Sequence, residues 1–352
     1  KAMDLLKQVI KSTTETGTPF LFFRDTVNRM NPNKHAGMIY SSNLCTEIMQ
    51  NMSPNGELVK TVVKDDEGNN IVVHSRKSGD FVVCNLSSLN LGRTHKPEDI
   101  ERVVPLAIRM MDNVIDLNFY AVEEARITNK KYRAVGLGAF DYHHMIAMNG
   151  ATWESEEHLE IADRVCEDIA FHAVKASMEL AKERGAYPAF EGSEWQTGEF
   201  FERRGYTSDR WMWLKEQVAT YGIHNAWLLA WAPNGASAHY GGGTQGGDPI
   251  TDKFYLDEKK NQVAPVIPPE LEKYFWSYKE AHLIDQSWSV RANAVRQKHV
   301  DQALSFNLYI TPETPASDLA KWYMLAWEQG TKTIYYTRSR SIEVEDCISC
   351  SA

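Results

Sequence analysis

Long apolar runs are missing from this sequence. A membrane-spanning helix needs roughly 18 consecutive apolar residues, and the longest candidate, residues 226–232, stops far short of that. No membrane association is expected. Cysteine is scarce too: the chain of 352 residues has five, Cys45, Cys84, Cys166, Cys347 and Cys350. An odd number at wide spacings does not suit a secreted disulfide framework, so thiols that do chemistry are the better reading. A long basic run is also absent and the formal net charge is −9, which argues against a protein that wraps polymeric DNA or RNA through phosphate contacts. A mononucleotide stays open, because one or two local donors suffice to hold it. There is no internal repeat and no His-Glu-x-x-His spacing, and no metal site is expected. Gly136-x-Gly138 lacks the third glycine and the later acidic residue of a dinucleotide fingerprint.

What is present suits a globular domain: 43% hydrophobic and 24% charged residues, enough to bury a large core. Residues 1–13 read as an amphipathic helix with Leu5, Leu6, Val9 and Ile10 on one side rather than a signal peptide, which makes the cytoplasm the expected compartment. Helix is expected through residue 30. Residues 38–48 read as extended chain entering a loop, and residues 51–80 as an excursion with a hairpin around Asp65-Asp66-Glu67-Gly68. A short strand is expected over residues 81–86. After Pro97 the positions Val103, Leu106, Met110, Val114 and Ile115 recur at helical intervals, with Pro105 as a kink or as the true start. Residues 135–140 read as a buried strand, and residues 154–184 as a long helix whose apolar face carries Ala162, Val165, Cys166, Ile169, Ala173 and Ala176 before Gly185 stops it. A strand at 304–310, a helix at 317–328 and a strand at 331–337 follow. Strands alternating with helices predict an α/β architecture.

Several groups of residues could carry chemistry. In an extended backbone, residues two apart point the same way at roughly 6.6 Å, so Asn43, Cys45 and Glu47 would share one face. They combine an amide, a sulfur able to act as nucleophile or radical carrier, and a proton acceptor. Taken alone, Asn-x-Cys-x-Glu is a weak pattern and better suits a structural reading. Cys347-Ile348-Ser349-Cys350 is either a redox pair or half of a zinc site, and the lack of a second pair argues against zinc. Tyr335 and Tyr336, adjacent in an expected strand, would send their side chains to opposite faces. The stretch 233–249, with Gly235, Gly241, Gly242, Gly243, Gly246 and Gly247, offers backbone amides that could cradle a phosphate, or is a flexible loop. Cys166 reads as a packed core thiol, and His143, His144 and the tryptophans as packing.

Ser42-Asn43-Leu44-Cys45-Thr46-Glu47, followed by Val83-Cys84-Asn85-Leu86-Ser87-Ser88-Leu89-Asn90-Leu91, closely resembles the active-site region of ribonucleotide reductase large subunits. The resemblance runs on through Val135-Gly136-Leu137-Gly138, Glu179-Leu180-Ala181, the tyrosine pair and the terminal Cys-x-x-Cys, and covers essentially the whole chain. It implies the second half of a ten-stranded α/β barrel over residues 1–340, with the Cys45 loop as a finger through its centre, and a flexible redox tail over residues 341–352. By the same resemblance Cys45 holds a transient thiyl radical, Glu47 accepts the 3′-hydroxyl proton, and Ser42 and Asn43 contact the substrate sugar. Cys84 is one of two reducing thiols. Tyr335 and Tyr336 relay the radical, and Cys347 and Cys350 reset the active-site disulfide before thioredoxin or glutaredoxin reduces them. The substrate diphosphate is expected at Gly235, Ala236 and Ser237, where only Ser237 matches the Ser/Thr-rich loop usual in the family.

The resemblance also sets out what the chain would need. Family large subunits are about twice this length, so the first half of the barrel, the second reducing cysteine and the nucleotide effector sites are expected on an N-terminal half. Opening on Lys1 inside a helical pattern suggests a fragment or a naturally split subunit, the latter being favoured. No cofactor is expected on the chain itself. The radical comes from a di-iron or dimanganese centre in a small subunit, and the substrate is a ribonucleoside diphosphate. A cobalamin-dependent class II reductase and a non-catalytic assembly module remain as alternatives.

Overall fold

The structure, a computed structural model, describes residues 1–259 and 262–340. Cys347 and Cys350 lie outside the described residues.

Five parallel segments make the centre of the molecule. Leu86–Asn90 pairs with Gly136–Phe140, in register from Leu86 opposite Gly136 to Asn90 opposite Phe140. Residues 228–231 join the other side of Gly136–Phe140 through Leu137 opposite Leu229, and residues 303–306 join them through Trp231 opposite Leu304. The array continues with Tyr335 N donating to Phe306 O at 2.7 Å and with Leu308–Ile310 parallel to Thr337–Ser339. Parallel neighbours need long crossovers, and helices supply them: Pro97–Leu117, Glu156–Arg184, Gln286–His299 and Ala316–Glu328 fall one in each successive gap. The alternation foreseen in the sequence is therefore a mixed α/β fold, and all five residues of its strand Gly136–Phe140 are buried.

Close approach in this array depends on glycine. A β-carbon on Gly138 would lie 2.5 Å from the Ala230 carbonyl oxygen and 2.9 Å from Trp231 Cα, both backbone atoms of the adjoining segment. Gly136-x-Gly138 is thus a packing device. Gly138→Ala is expected to destabilise the protein by about 2–4 kcal/mol, read as a lower denaturation midpoint, and an unchanged midpoint would contradict the close approach.

The long helix starts at Glu156 rather than at 154, because the Ser155 hydroxyl accepts from His158 N at 3.2 Å and caps it. It buries Ala162, Val165, Cys166, Ile169, Ala173 and Ala176, and Gly185 ends it. The Asp65 turn joins Val59–Lys64 to Asn70–Ser75 as an antiparallel hairpin, with Asp65 Oδ1 accepting from Glu67 N and Asn69 N at 3.0 and 2.8 Å.

Elsewhere the structure departs from the sequence reading. Residues 1–30 are not one helix: Ala2–Thr16 closes on Gly17 at φ 76°, Leu21–Phe22 pairs with Thr333–Ile334, and a second helix spans Arg24–Arg29. A left-handed glycine followed by Pro19 cannot continue a helix. The strand expected at 81–86 begins only at Leu86, where Gly136 provides a partner. Pro97–Leu117 runs through Pro105 without a break, forgoing one backbone hydrogen bond while packing on Glu156–Arg184. Its buried apolar positions are Ile100, Val104, Ile108, Met111 and Ile115, whereas Leu106, Met110 and Val114 face out. Apolar residues occupy both sides of this helix, so periodicity could not choose the buried one.

Candidate active site

The loop carrying Cys45 is closed at its neck by the antiparallel bridge of Met38 with Met52 and by Asn28, whose side-chain amide accepts from Ile39 N and donates to Ile39 O, each at 2.9 Å. Its tip is a turn, not a strand. Thr46 N donates to Asn43 O at 3.2 Å, Ile48 N to Asn43 Oδ1 at 3.1 Å, and Thr46 sits at φ 68°, a left-handed conformation that non-glycine residues seldom adopt. The expectation that strand alternation puts Asn43, Cys45 and Glu47 on one face is thereby corrected. The turn brings Asn43 and Glu47 together instead, with Asn43 Nδ2 donating to Glu47 Oε1 at 2.8 Å.

Two distant segments grip this turn. Ala303 N donates to Glu47 O at 2.9 Å, Met49 N and Gln50 Nε2 to Gln302 Oε1 at 3.3 and 3.0 Å, and Thr333 Oγ1 to Thr46 O at 3.3 Å. Ser305 Oγ reaches the Cys45 carbonyl oxygen and, at 3.2 Å, Glu47 Oε2. Behind them, buried Lys332 donates to Asp301 O and Gln302 O at 2.6 and 2.7 Å, and burial pulls its amine well below the usual lysine value.

The loop end delivers a buried thiol and a buried carboxyl: Cys45 is 2% exposed and Glu47 1%. Tyr335 donates its hydroxyl hydrogen bond to Cys45 Sγ at 3.6 Å. The Tyr335 and Tyr336 rings do not diverge. Their residues lie between Thr333–Ile334 and Thr337–Ser339, outside either strand, and the ring centroids are 4.3 Å apart at 56°. Phe20 packs on both, at 4.6 and 4.8 Å, while Asn307 Oδ1 accepts from Tyr336 N at 3.2 Å. A phenol, a second phenol and a thiol thus form a continuous buried line able to pass an electron and a proton in short hops. Burial pushes the Tyr335 hydroxyl far up, with further contributions from Cys45 and Tyr336, so it stays protonated at neutral pH.

Burial also raises Glu47 above the ordinary carboxylate value of 4.5, against its own backbone N–H, Asn43 and Ser305, which favour the ionised form. The folded protein therefore binds a proton at Glu47 more tightly than the unfolded chain does, and stability falls as pH rises from 4.5 through the folded value. Glu47→Gln is expected to melt at a higher temperature than the native protein at neutral pH, with the difference fading below pH 4.5. Equal melting temperatures across that range would show that Glu47 carries no burial penalty.

The other expected site residues lie around this line. Cys84 is exposed, two residues before Leu86–Asn90, and so is not among the buried set. Ser42 donates to Asn43 O at 2.9 Å and is half-buried. Gly235 precedes the short helix Ala236–Gly241, in which Ser237 is exposed. The glycine-rich stretch is anchored at several points: Thr244 N to Asp141 Oδ1 at 2.7 Å, Asn90 Nδ2 to Gly241 O at 3.1 Å, Arg296 Nη1 to Gly247 O at 2.7 Å, and Ile250 N to His143 Nδ1 at 3.1 Å. Burial lowers His143 to about 3, leaving it a neutral acceptor, and raises the Cys166 thiol to about 12, which makes it unreactive.

Sequence reasoning missed Phe20, Gln302, Ser305, Asn307 and Lys332. For Gln302, Ser305 and Asn307 a signal existed in the polar residues that alternate with apolar ones over residues 301–307, since buried polar groups need partners.

The class of protein follows from this geometry and from its likeness to known proteins. The chain belongs to the ribonucleotide reductase family: the family described as "Ribonucleotide reductase, barrel domain" matches residues 1–337. Among its relatives are proteins named ribonucleoside-diphosphate reductase subunit alpha. That of Treponema pallidum is 48% identical over 99% of this chain and 42% of the relative. Those of Helicobacter pylori strain J99 and Synechocystis are 38% and 35% identical, over 98% and 99% of this chain and 50% and 45% of the relatives. The chain spans about half the length of the curated relatives it matches. Among the described residues, no helix is long and apolar enough to cross a membrane.

Proposed function

We propose that this chain is the C-terminal, active-site part of the large subunit of a class I ribonucleotide reductase, converting ribonucleoside diphosphates to 2′-deoxyribonucleotides in the cytoplasm. The observation that carries the reading is the buried line from Tyr336 through Tyr335 to Cys45, ending 3.6 Å from the sulfur, with Glu47 on the same turn. A thiol tucked away from water beside two phenols suits a radical carrier far better than a nucleophile that meets solvent.

In this reading the five-segment parallel array is half of a ten-stranded barrel, the other half coming from the rest of the subunit, whether encoded separately or on one longer chain. Residues 1–340 form that half-barrel and residues 341–352 a redox tail. A small subunit with a di-iron or dimanganese centre supplies the oxidising equivalent, which passes from Tyr336 to Tyr335 and takes the hydrogen atom of the Cys45 thiol. The resulting thiyl takes hydrogen from C3′ of the ribose: the C3′–H bond breaks, S–H forms, and the unpaired electron moves to C3′. Glu47 takes the 3′-hydroxyl proton, oriented by Asn43, and the 2′-hydroxyl leaves as water with a proton from a reducing thiol. Cys84 and a second thiol from the remainder of the subunit give two electrons and, beyond the proton that leaves in the water, one hydrogen that forms the new C2′–H bond, becoming a disulfide; Glu47 returns its proton to the 3′ oxygen, and Cys45 returns its hydrogen to C3′. Exchange with Cys347 and Cys350 resets the disulfide, and thioredoxin or glutaredoxin resets that pair. Ser42 and Asn43 hold the sugar, while Gly235, Ala236 and Ser237 face the diphosphate, mostly through backbone amides. Effector nucleotides bind to the remainder of the subunit.

The test is CDP reduction by this chain combined with the rest of a large subunit, a metal-loaded small subunit and thioredoxin. Deoxycytidine diphosphate is expected only from the full mixture. Turnover by this chain alone would refute the need for another half, and no product from any combination would overturn the reductase reading.

A further inference from the structure

Ser305 is buried beneath the Cys45 turn, and its backbone is fixed by N–H donation to Trp231 O at 2.9 Å. Its hydroxyl oxygen lies within hydrogen-bond reach of two acceptors, the Cys45 carbonyl oxygen and Glu47 Oε2. A hydroxyl has one proton to donate, so while Glu47 is ionised one acceptor goes unserved by Ser305. The other carboxyl oxygen, Oε1, is already taken by the Asn43 amide at 2.8 Å. An amide N–H cannot accept, so a proton bound by Glu47 resides on Oε2, the oxygen that faces Ser305.

We propose that Ser305 is a positioning residue that follows the proton on Glu47: its hydroxyl donates to Oε2 while the carboxyl is ionised and turns to the Cys45 carbonyl once the carboxyl is neutral. In the neutral state Glu47 O–H donates to Ser305 Oγ and Ser305 O–H donates to Cys45 O, so every acceptor is served. No covalent bond to carbon changes in this step. The proton state of the carboxyl is passed to the peptide group of the residue that bears the thiol, and arrival of a proton at Glu47 tightens the Cys45 turn against residues 303–306. The inference rests on the reading of Glu47 as acceptor of the 3′-hydroxyl proton, but its own geometry does not require turnover.

The experiment is infrared titration of the complete large subunit labelled with carbon-13 at cysteine carbonyl positions. The Cys45 amide band is expected to move to lower frequency as Glu47 is protonated. Glu47→Gln, whose amide N–H donates to Ser305 as a neutral carboxyl does, is expected to hold that band at the shifted position at every pH. Ser305→Ala is expected to abolish the shift and to raise the pH at which Glu47 titrates by about one unit, because the charge-assisted bond lost from the ionised form is the stronger of the two. Ser305→Thr, which keeps the hydroxyl, is expected to restore both. A Cys45 band that ignores pH in the native subunit, or follows pH in Glu47→Gln, overturns the proposal, whether or not Ser305→Ala folds. Loss of CDP reduction with the infrared coupling intact would instead count against the reductase reading alone.

Discussion

Replacing Cys45 with serine is expected to lower CDP reduction by about 10³-fold or more in the assembled enzyme, with little change in melting temperature. Serine differs by one atom, and the site is closed around it: Cys45 is 2% exposed, and its carbonyl bond to Ser305 is a backbone interaction that the substitution leaves in place. Tyr335 keeps a partner, because a serine oxygen accepts a hydrogen bond at least as well as sulfur. What disappears is the weak S–H bond. A phenoxyl radical can take hydrogen from a thiol, but the O–H bond of serine is far too strong to give it up, so the proposed removal of the 3′ hydrogen of the ribose cannot begin. Retention of full activity by Cys45→Ser would remove the thiyl mechanism and leave a module that serves assembly.

Tyr335→Phe is expected to have an effect of the same order, again about 10³-fold or more on turnover. The ring stays, with its contacts to Tyr336 at 4.3 Å and Phe20 at 4.6 Å, and only the hydroxyl 3.6 Å from Cys45 Sγ is lost. Packing is preserved while the proposed relay is cut. Because burial keeps the phenol protonated, the electron leaves together with the hydroxyl proton, and phenylalanine has none to release. The measurement is CDP turnover alongside a thermal melt. An unchanged melt with activity gone supports the relay, whereas undiminished activity would point to a radical generator that works without it, as a cobalamin-dependent enzyme does.

Much of this site could be read in the sequence, though some of the geometry assigned to it there was wrong. Asn43, Cys45 and Glu47 stood out as a candidate set because an amide, a thiol and a carboxyl stand close together in the chain and because their setting resembles a known family. Their arrangement was misjudged. Strand alternation was expected, and Thr46 at φ 68° makes a turn, a conformation that a threonine does not advertise. Tyr335 and Tyr336 were assigned diverging side chains by the same rule, yet neither residue is in a strand, and Phe20 from another part of the chain packs against both rings. The Pro97–Leu117 helix was recognisable by its period, but its buried side was not, since Leu106 and Met110 are as apolar as Ile108 and Met111.

The sequence by itself determined the elements and the reactive groups: a βα alternation set by local periodicity and by capping residues such as Ser155 and Gly185, and a chemically unusual cluster at residues 43–47. These are decided by neighbours a few positions apart, where steric and hydrogen-bonding preferences act. Only the tertiary structure decided how the groups work together. Ser305 lies 260 positions from the Cys45 carbonyl it contacts, and Tyr335 lies 290 positions from the Cys45 sulfur. Burial of Glu47, which raises its proton affinity, likewise comes from segments remote in the chain. Desolvation and hydrogen-bond geometry depend on which surfaces meet, and no local pattern along a chain specifies that meeting.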